Sequence, residues 1–431
     1  MTHHLILGAG PAGVIAAETI RKHAPLDAIT IVGDEPELPY SRMAIPYLLM
    51  GNVDERGTYL RKAPSHFQDL KINLVQGLVK RVDTATKKVA LANGESIAFD
   101  TLLIATGSHP VQPPIAGIDA VGVHTCWTLE DARAIMALAT KGARVLQLGA
   151  GFIGCIIMEA LASRGVHLSV VEMGDRMVPR MMGATAGGMI RDWCEAKGVE
   201  VFTGTRVEAI QAGAPLQVRL SNGKTVAADL VISAAGVRPA IGFLKDSGLS
   251  CLLGVLTDEH LQTNVPGIYA AGDCAEAFDK VSCKTVVSAI QPNAAEQARV
   301  AALNMVSFAR GRALAAELKG VTQINVLDTL GLISSSFGDW AGVPGGEHAE
   351  LTDKAAGRHL SLQFKDDVLV GCNSVGWTEH VGVMRGLVEG QVKLGAWKDI
   401  LKNDPTQLMP AYLATAQAQS DWLGAQDARR R

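Results

Sequence analysis

A glycine pattern, Gly-x-Gly-x-x-Gly, occurs twice in this chain in the same local context, and it constrains the fold more than any other feature. The first copy, Gly8 to Gly13, follows an apolar run at residues 5–7. A stretch with helical spacing (residues 14–20) and a second apolar run (residues 29–32) come after it. This order predicts a strand, a tight glycine turn, a helix and a second strand.

The second copy, Gly149 to Gly154, lies between an apolar run at residues 144–148 and a helical stretch through Leu161; a strand predicted at 167–171 then ends at Glu172. In such turns the first glycine permits the bend, the second lets backbone N–H groups approach a pyrophosphate, and the third packs helix on strand. The phosphates lie at a helix N-terminus, where the dipole favours anions. The two predicted dinucleotide sites therefore contain Gly8, Gly10 and Gly13, and Gly149, Gly151 and Gly154.

Glu172 predicts which nucleotide the second site prefers. It follows Gly151 by 21 residues, the spacing at which an acid reaches the ribose 2′-hydroxyl. A carboxylate there disfavours a 2′-phosphate, so NADH is preferred over NADPH. Arg176, four residues further along, could weaken this preference.

Composition excludes several other classes of protein. The 431 residues suffice for two or three domains. With a formal charge of −3, the chain lacks the positive electrostatic field that nucleic-acid binding needs. No run reaches the about 18 apolar residues of a membrane span, and the N-terminus has no export signal. The seven cysteines are odd in number and contain no Cys-x-x-Cys, so we expect neither disulfides nor a metal site, and a reducing cytoplasm.

Three further segments point to a family. Residues 101–110 and 230–239 are buried-strand patterns that end in small residues, and Asn93-Gly94 and Asn222-Gly223 precede them as hairpin signals. Residues 267–274 read Gly-Ile-Tyr-Ala-Ala-Gly-Asp-Cys. In this order around two glycine turns, they resemble the pyridine nucleotide-disulfide oxidoreductases, flavoproteins that bind FAD and NAD(P)H.

The resemblance implies an α/β fold with two Rossmann-like dinucleotide-binding domains and a C-terminal α+β interface domain. The FAD domain would be split (1–110 and 240–319), the NAD domain inserted (111–239), and the interface domain would occupy 320–431. The first glycine turn would hold the FAD pyrophosphate and Asp273 the ribityl end. Gln291 would begin a helix whose positive end faces the flavin N1/O2 edge.

The segment Gly33 to Arg42 resembles the ferredoxin-reductase and apoptosis-inducing-factor branch of this family. That likeness implies that Asp34 or Glu35 binds the adenosine ribose and that Arg42 lies by the FAD. The other cofactor-binding residues implied by the resemblance are Pro11, Ala12, Val79, Ala105, Thr106, Gly107, Phe152, Ile153, Gly236 and Gly272.

Redox sulfur is absent from the expected place. The loop from Ser41 to Tyr47 also looks like that of NADH oxidases and coenzyme A-disulfide reductases, in which a cysteine occupies the position of Met43. Methionine cannot form a thiolate, and the Cys-x-x-x-x-Cys pair of glutathione reductases does not occur. No catalytic side chain is therefore assigned, and Cys274 and Cys283 are expected to be buried, inert thiols.

Tyr47 stands at the position where the ferredoxin reductases that this segment resembles have a lysine.

Two more departures concern the NAD turn and the C-terminal third. Ile156 replaces a family glutamate that helps hold the nicotinamide side of NAD; Glu159, one turn further, either substitutes for it or lies on the helix surface. The family's C-terminal acid-base histidine motif is missing, which leaves His380 as a candidate for the flavin edge or as a packed or surface histidine. The predicted elements of this third are strands at 326–333 and 359–364, a turn at 366–367 into a strand at 368–371, helices after 379, and helical spacing from 405.

The simplest chemistry is hydride transfer from NADH to FAD, followed by single-electron release. The chain is similar to the NADH:acceptor flavoprotein subunits of anaerobic aldehyde and phenylglyoxylate oxidoreductases, which implies a ferredoxin-like iron–sulfur protein or subunit as partner. A stand-alone NADH oxidase or peroxidase-like enzyme, and a redox-sensing flavoprotein, remain alternatives. Homo-oligomer and hetero-complex both stay open.

Overall fold

The structure, a computed structural model, describes residues 1–279, 282–314, 316–320 and 324–417. The chain divides into two compact units. The first unit contains the described residues of 1–111, 127–129 and 237–321, and the second those of 112–126, 130–236 and 322–431. The three-domain division with its boundaries stays a prediction.

The first unit is built on a parallel sheet of five strands. Their spatial order is Ile268–Ala270, Thr101–Ile104, His3–Leu7, Ala28–Gly33 and Ile72–Gln76. Smaller sheets comprise Val79–Asp83, Lys88–Leu91 and Ser96–Ala98; Ser108–Pro110 and Val237–Pro239; and Val255–Leu256, Ala275–Asp279 and Lys284–Val287. The helices are Pro11–His23, Ile45–Leu49, His66–Asp69 and Gln291–Ala309.

Burial on both faces explains the apolar runs of this sheet. Leu5, Ile6 and Leu7 are fully buried, and they belong to two separate core clusters on opposite faces of the sheet. Parallel strands covered on both sides show such continuous apolar sequences. The predicted strand, turn, helix and strand of the first glycine pattern are confirmed.

The second unit repeats this arrangement. Its parallel sheet has the order Glu200–Phe202, His167–Val171, Arg144–Leu148, Leu230–Ser233 and Val123–His124. An antiparallel sheet adds Val207–Gln211, Leu216–Leu220 and Thr225–Ala228. The helices in this part are Leu129–Leu138, Phe152–Ser163 and Ala184–Ala196. The predicted α/β fold class with two Rossmann-like halves is confirmed.

An antiparallel sheet of five strands completes the second unit. Its order is Ile324–Thr329, Leu332–Gly338, Val368–Val375, Arg358–Lys365 and Glu347–Asp353. The α-helices Val381–Glu389, Trp397–Asn403 and Leu408–Tyr412 and the π-helix Leu413–Gln417 follow it. The single strand predicted at 326–333 is wrong, because Leu330 and Gly331 form a two-residue turn with φ of 54° and 85°. The Asp328 carboxylate accepts the Gly331 N–H at 2.8 Å, which closes the hairpin.

The hairpins at Gly94 and Gly223, with φ of 90° and 85°, and the strand around residues 359–364 are confirmed. Of the tail predicted to be helical from Pro405, residues 418–431 lie outside the described residues. Within the described part of the chain, no helix combines the length and apolar character needed to cross a bilayer.

Candidate functional site

The first glycine turn is held by close backbone contacts. The Gly8 N–H donates to the Val32 carbonyl at 2.7 Å. Gly8 has a φ of +112°, and a Cβ there would lie 2.0 Å from the Ala105 carbonyl oxygen. A Cβ on Gly13 would lie 1.9 Å from the Gly8 oxygen. Both positions therefore require glycine for the turn to form at all.

The second turn has the same construction. The Gly149 N–H donates to the Val171 carbonyl at 2.8 Å. With Gly149 at a φ of +98°, a Cβ would approach the Ala234 oxygen to 2.4 Å, and a Cβ on Gly154 would approach the Gly149 oxygen to 2.5 Å. The two halves thus share one backbone geometry.

The middle glycines behave differently, because a Cβ on Gly10 or on Gly151 meets no atom within 4 Å. Each residue has an extended backbone and precedes the first turn of a helix, Pro11–His23 or Phe152–Ser163. Among the described residues, no side chain caps either helix, and neither first turn contains an acid. Open space in front of uncapped N–H groups fits a pyrophosphate at both turns.

Glu172 is bound to the second glycine turn by its own carboxylate. Its Oε2 accepts the Ala150 N–H at 2.8 Å and its Oε1 the Gly174 N–H at 2.7 Å. Each carboxylate oxygen has a second acceptor position, so ribose hydroxyls can still bind. Arg176 donates to the Met182 carbonyl at 2.9 Å and pairs with the neighbouring Asp175, which leaves it poorly placed to receive a 2′-phosphate.

The first turn has no acid at the matching position. Because Val32 and Val171 accept equivalent N–H groups, Gly33 is the counterpart of Glu172. The next residue, Asp34, is exposed. No described residue hydrogen-bonds its carboxylate, so Asp34 is better suited than Glu35 to bind a ribose.

Glu35 instead holds Arg42. The Arg42 Nη2 donates to Glu35 Oε1 at 2.6 Å, while Nη1 donates to the Trp127 carbonyl at 2.6 Å. The guanidinium carbon lies 5.6 Å and 5.3 Å from the ring centroids of Tyr40 and Trp127. Burial raises the pKa of the Tyr40 hydroxyl. The hydroxyl therefore stays protonated, and it donates a hydrogen bond to Glu35 Oε2. Arg42 is thus a fixed cation within the first unit.

Asp273 lies near this cation. Burial raises the pKa of the Asp273 carboxyl, and the Ser108 hydroxyl and the Arg42 charge oppose that rise. The Ser108 Oγ donates to Asp273 at 2.9 Å, and the Trp127 indole N–H donates to the Ser108 carbonyl at 3.0 Å. Trp127 therefore contacts both Arg42 and the residue that orients Asp273.

Comparison with known proteins identifies the fold family. Residues 2–298 match the family described as "Pyridine nucleotide-disulphide oxidoreductase", which is more than half of the chain. The chain belongs to this family. The resemblance inferred from the sequence is confirmed.

Relatives of this chain include a subunit of a dehydrogenase and an oxidase. The chain is 32% identical to the epsilon subunit of NADH-dependent phenylglyoxylate dehydrogenase from Aromatoleum evansii, over 90% of this chain and 91% of that one. It is 32% identical to an NADH oxidase from Methanocaldococcus jannaschii, over 70% and 69%. Among solved structures, a covalent putidaredoxin reductase–putidaredoxin complex has the same fold, with a TM-score of 0.85, 23% identity, and 96% and 98% coverage.

As a pyridine nucleotide-disulphide oxidoreductase, the chain is an FAD-dependent oxidoreductase that uses NAD(H). The residue assignments within each site stay predictions. The first unit places most of its predicted residues at the carboxyl edge of its sheet, where ligands bind in such folds. Pro11 and Ala12 lie within the first glycine turn. The residues that follow the strands Thr101–Ile104 and Ile268–Ala270 are Ala105, Thr106, Gly107, Gly272 and Asp273.

The remaining predicted residues take the following places. Gln291 is the first residue of the helix Gln291–Ala309, and Val79 begins its strand two residues after Gly77, whose N–H bonds the Gly33 carbonyl at 2.8 Å. Phe152 and Ile153 begin the second-unit helix, and Gly236 follows Leu230–Ser233. The two predicted sets thus lie in separate units.

Cys274 and Cys283, two of the thiols of the first unit, differ in their burial. Burial raises the pKa of Cys274 to about 11, as expected of an inert thiol. Cys283 is exposed, so its predicted burial is wrong. It lies in the turn between the paired strands Ala275–Asp279 and Lys284–Val287, immediately before the second strand. Neither resembles a disulfide relay.

Glu159 is half-buried on its helix. Its Oε2 is buried and has no hydrogen-bond partner within the described ranges, so the side chain lies only partly at the surface expected for this position. Ile156 is half-buried. His380 has a φ of 66° and precedes the helix Val381–Glu389, with its carbonyl accepting the Met384 N–H at 2.9 Å. Its assignment to the flavin edge stays a prediction.

Gln147 supports the second glycine turn, and sequence reasoning missed it. It is fully buried, and its Nε2 donates to the Gly149 carbonyl at 2.8 Å. A Cβ on Gly154 would lie 2.9 Å from the Gln147 Nε2, whereas in the first turn a Cβ on Gly13 would meet the apolar Ile6 side chain at 3.3 Å. A glutamine inside an apolar strand is the only signal that distinguished this position.

Replacing Glu172 with alanine is expected to lower the ratio of kcat/KM for NADH to that for NADPH at least about tenfold, which corresponds to about 1.4 kcal/mol. The carboxylate that repels a 2′-phosphate is lost, together with its hydrogen bonds to the Ala150 N–H of the turn and to the Gly174 N–H. Steady-state assays with both nucleotides measure the ratio. Glu172→Gln removes the charge but keeps one acceptor oxygen, and therefore one of the two hydrogen bonds to backbone N–H groups. An unchanged ratio in both variants would move specificity to another residue.

Proposed function

We propose that this flavoprotein passes electrons from NADH to an iron–sulfur carrier or partner subunit. The observation that carries the proposal is Met43, which stands where related oxidases have a cysteine. Met43 is 50% exposed, and the adjacent Ser41 hydroxyl donates to Gln291 at 2.9 Å. The loop is therefore attached to the start of the helix Gln291–Ala309 but offers no thiolate for a disulfide relay or for a sulfenic acid.

Bound FAD would accept a hydride and release electrons one at a time. The chain supplies position and charge for that chemistry. In the first unit the Gly8–Gly13 turn would hold the pyrophosphate, Asp34 the adenosine ribose and Asp273 the ribityl hydroxyls, with Arg42 as a fixed cation. The N-terminus of the helix at Gln291 would favour a negative charge on the reduced flavin ring.

The second unit would bind NADH. Gly149–Gly154 would receive the pyrophosphate, and Glu172 would accept hydrogen bonds from the adenosine ribose. Gln147 would hold this turn in place through its hydrogen bond to the Gly149 carbonyl. No described group of this unit is assigned an acid–base role.

The likeness to the phenylglyoxylate dehydrogenase epsilon subunit extends over nearly the whole length of both chains. It supports a role as one subunit of a larger oxidoreductase. None of the seven cysteines, all of which lie in the described residues, forms a disulfide, which supports a reducing compartment such as the cytoplasm.

Initial rates of NADH oxidation under argon with a viologen dye, and in air without the dye, test the proposal. Fast viologen reduction with little oxygen consumption is expected from a one-electron donor. Rapid turnover with oxygen and none with one-electron acceptors would contradict it.

A stand-alone NADH oxidase is the second candidate. The likeness to the NADH oxidase of Methanocaldococcus jannaschii, over 70% of this chain, favours it. In that case, NADH oxidation without any partner protein should be accompanied by oxygen consumption, at an equal rate if the product is peroxide and at half that rate if the product is water. The same pair of assays therefore separates the two functions.

A further inference from the structure

A series of hydrogen bonds joins the C-terminal antiparallel sheet to the second glycine turn. It begins at Asn373, which lies on the strand Val368–Val375 and is 2% exposed. The Asn373 Nδ2 donates to the Met181 carbonyl at 2.8 Å, and its Oδ1 accepts the Gly183 N–H at 3.0 Å. One buried amide therefore holds two peptide groups of the segment that precedes the helix Ala184–Ala196.

The same segment is bonded to the glycine turn through Val178. The Met181 N–H donates to the Val178 carbonyl at 3.0 Å, and the Val178 N–H donates to the Ala150 carbonyl at 2.9 Å. Ala150 lies between the first two glycines of the turn, and its own N–H donates to Glu172 Oε2 at 2.8 Å. Four successive hydrogen bonds thus lead from Asn373 to the carboxylate predicted to bind the adenosine ribose.

Val178 is the strained residue of this series. It is buried, and its φ of +49° lies in the left-handed region that a β-branched residue rarely adopts. Such a conformation is unfavourable by itself and persists only where surrounding contacts hold it. Here the Val178 carbonyl accepts the N–H groups of Met181 and Met182, each at 3.0 Å. Because Asn373 holds the segment that contains these two donors, it stabilises the strained turn.

The bond from Val178 sets the direction of a peptide group in the glycine turn. The Ala150 carbonyl and the Gly151 N–H belong to one trans peptide, so they point in opposite directions. With the carbonyl held by Val178, the direction of the Gly151 N–H is fixed as well. In glycine turns of this kind the backbone at the second glycine approaches the pyrophosphate, and a Cβ on Gly151 meets no atom within 4 Å. Asn373 therefore acts on the peptide that this phosphate would meet.

We propose that Asn373 is a positioning residue for the nicotinamide nucleotide. It holds residues 178–183 against the second glycine turn, and so keeps the Ala150 peptide groups and the Glu172 carboxylate in the orientation that binds pyrophosphate and ribose. The inference rests on the assignment of this turn to NADH under the proposed function. It adds to that site a residue of the C-terminal sheet, 190 residues away from Gly183 along the chain.

The test uses the FAD-loaded protein and follows anaerobic flavin reduction at increasing NADH concentration. Asn373→Leu keeps the approximate length of the side chain and removes both hydrogen bonds. Loss of a hydrogen bond that orders a binding site corresponds to a change of about fivefold to tenfold in affinity. We therefore expect the half-saturating NADH concentration to rise by about this factor. The rate at saturating NADH should stay within about twofold, because nucleotide binding is weakened and the chemical step is not.

Ser374 provides a matched control on the same strand. It is also buried, and its Oγ lies 2.6 Å from the Oγ of Ser335 on the neighbouring strand Leu332–Gly338. Ser374→Ala therefore removes a buried hydrogen bond of the sheet without removing a bond to residues 178–183. It should lower the melting temperature and leave the NADH dependence at the wild-type value. If it raised the half-saturating NADH concentration as much as Asn373→Leu does, the specific role of Asn373 would be overturned.

Asn373→Ala is the second variant, and it tests for steric overlap by the leucine side chain. It removes the same two hydrogen bonds but leaves space instead of filling it. The half-saturating NADH concentration should rise in both variants, and the ratio of flavin to protein should stay at the wild-type value in both, because the first unit is unchanged. A rise in the leucine variant alone would contradict the inference.

A double-mutant cycle with Glu172 tests whether Asn373 acts through the glycine turn. In Glu172→Ala the Ala150 N–H has lost its acceptor, so the series of hydrogen bonds is already broken. Adding Asn373→Leu to this variant should raise the half-saturating NADH concentration by a smaller factor than it does in the wild-type protein. A role in packing elsewhere would give equal factors in the two backgrounds, and that result would overturn the inference.

Wild-type NADH dependence in both Asn373 variants, together with a higher half-saturating concentration in Gly151→Val, would reject the inference and leave the nucleotide site in place. Unchanged NADH dependence in Gly151→Val would contradict the nucleotide site itself. The two failures are therefore distinguishable in one series of flavin reductions.

Discussion

Replacing Gly10 with valine should give a folded protein that contains no FAD. Gly10 has φ −79° and ψ −173°, a conformation open to any residue. A Cβ there meets nothing within 4 Å, so the apoprotein can accommodate the side chain. The valine methyl groups would occupy the space in which a pyrophosphate approaches the backbone. We expect FAD affinity to fall at least about hundredfold, or about 3 kcal/mol.

The ratio of flavin to protein after purification and a subsequent FAD titration measure this loss, and circular dichroism reports the fold. Gly8→Val is the contrasting variant, because its Cβ would lie 2.0 Å from the Ala105 oxygen. It should disrupt folding itself, whereas Gly10→Val should not. A Gly10→Val protein that purified with full flavin would contradict the assignment of this turn to FAD.

The parts that could be predicted from sequence are those in which a single residue type decides the backbone. Gly8 and Gly149 adopt conformations that L side chains rarely adopt, and each lies against a carbonyl oxygen of the neighbouring strand. Such positions leave a clear trace in the sequence, so both glycine turns, with the strands and helices beside them, were predicted with nearly correct bounds.

Prediction from sequence failed at residues whose local preference for strand, turn or surface differs from what the tertiary structure requires. The apolar residues 326–333 suggested one strand because Leu330 does not resemble a turn residue; its φ of 54° is imposed by the pairing of the two strands on either side. Glu159 was expected at the helix surface because glutamates usually are. The residue is half-buried, and the burial of its Oε2 depends on packing within the second unit, which one sequence does not reveal.

Contacts distant in sequence account for the site residues that were not foreseen. Trp127 contacts Arg42 and Ser108, which lie 85 and 19 residues away. Gln297, a buried residue of the helix Gln291–Ala309, accepts the Gly272 N–H across 25 residues. No local pattern encodes these pairs, so the sequence supports the cofactor turns themselves but not the side chains that hold neighbouring groups in place.

Replacing Gly151 with valine should have the opposite outcome to the Gly10 substitution. Gly151 has φ −77° and ψ −170° and equally open space around its Cβ position. The variant should purify with FAD, because the first unit is unchanged. Its flavin should be reduced by NADH only at concentrations at least about hundredfold higher, since the added methyl groups would block the pyrophosphate of the nicotinamide cofactor.

Anaerobic bleaching of the flavin absorbance, followed at increasing NADH concentration, measures this effect, and dithionite provides the control. Because dithionite needs no nucleotide site, it should reduce the flavin of Gly151→Val as completely as that of the wild-type protein. Slow reduction by both reagents would indicate a disturbed flavin rather than a blocked nucleotide. Unchanged NADH dependence would show that the second glycine turn does not bind the dinucleotide. The assignment of the first turn to FAD and the second to NADH would then be wrong.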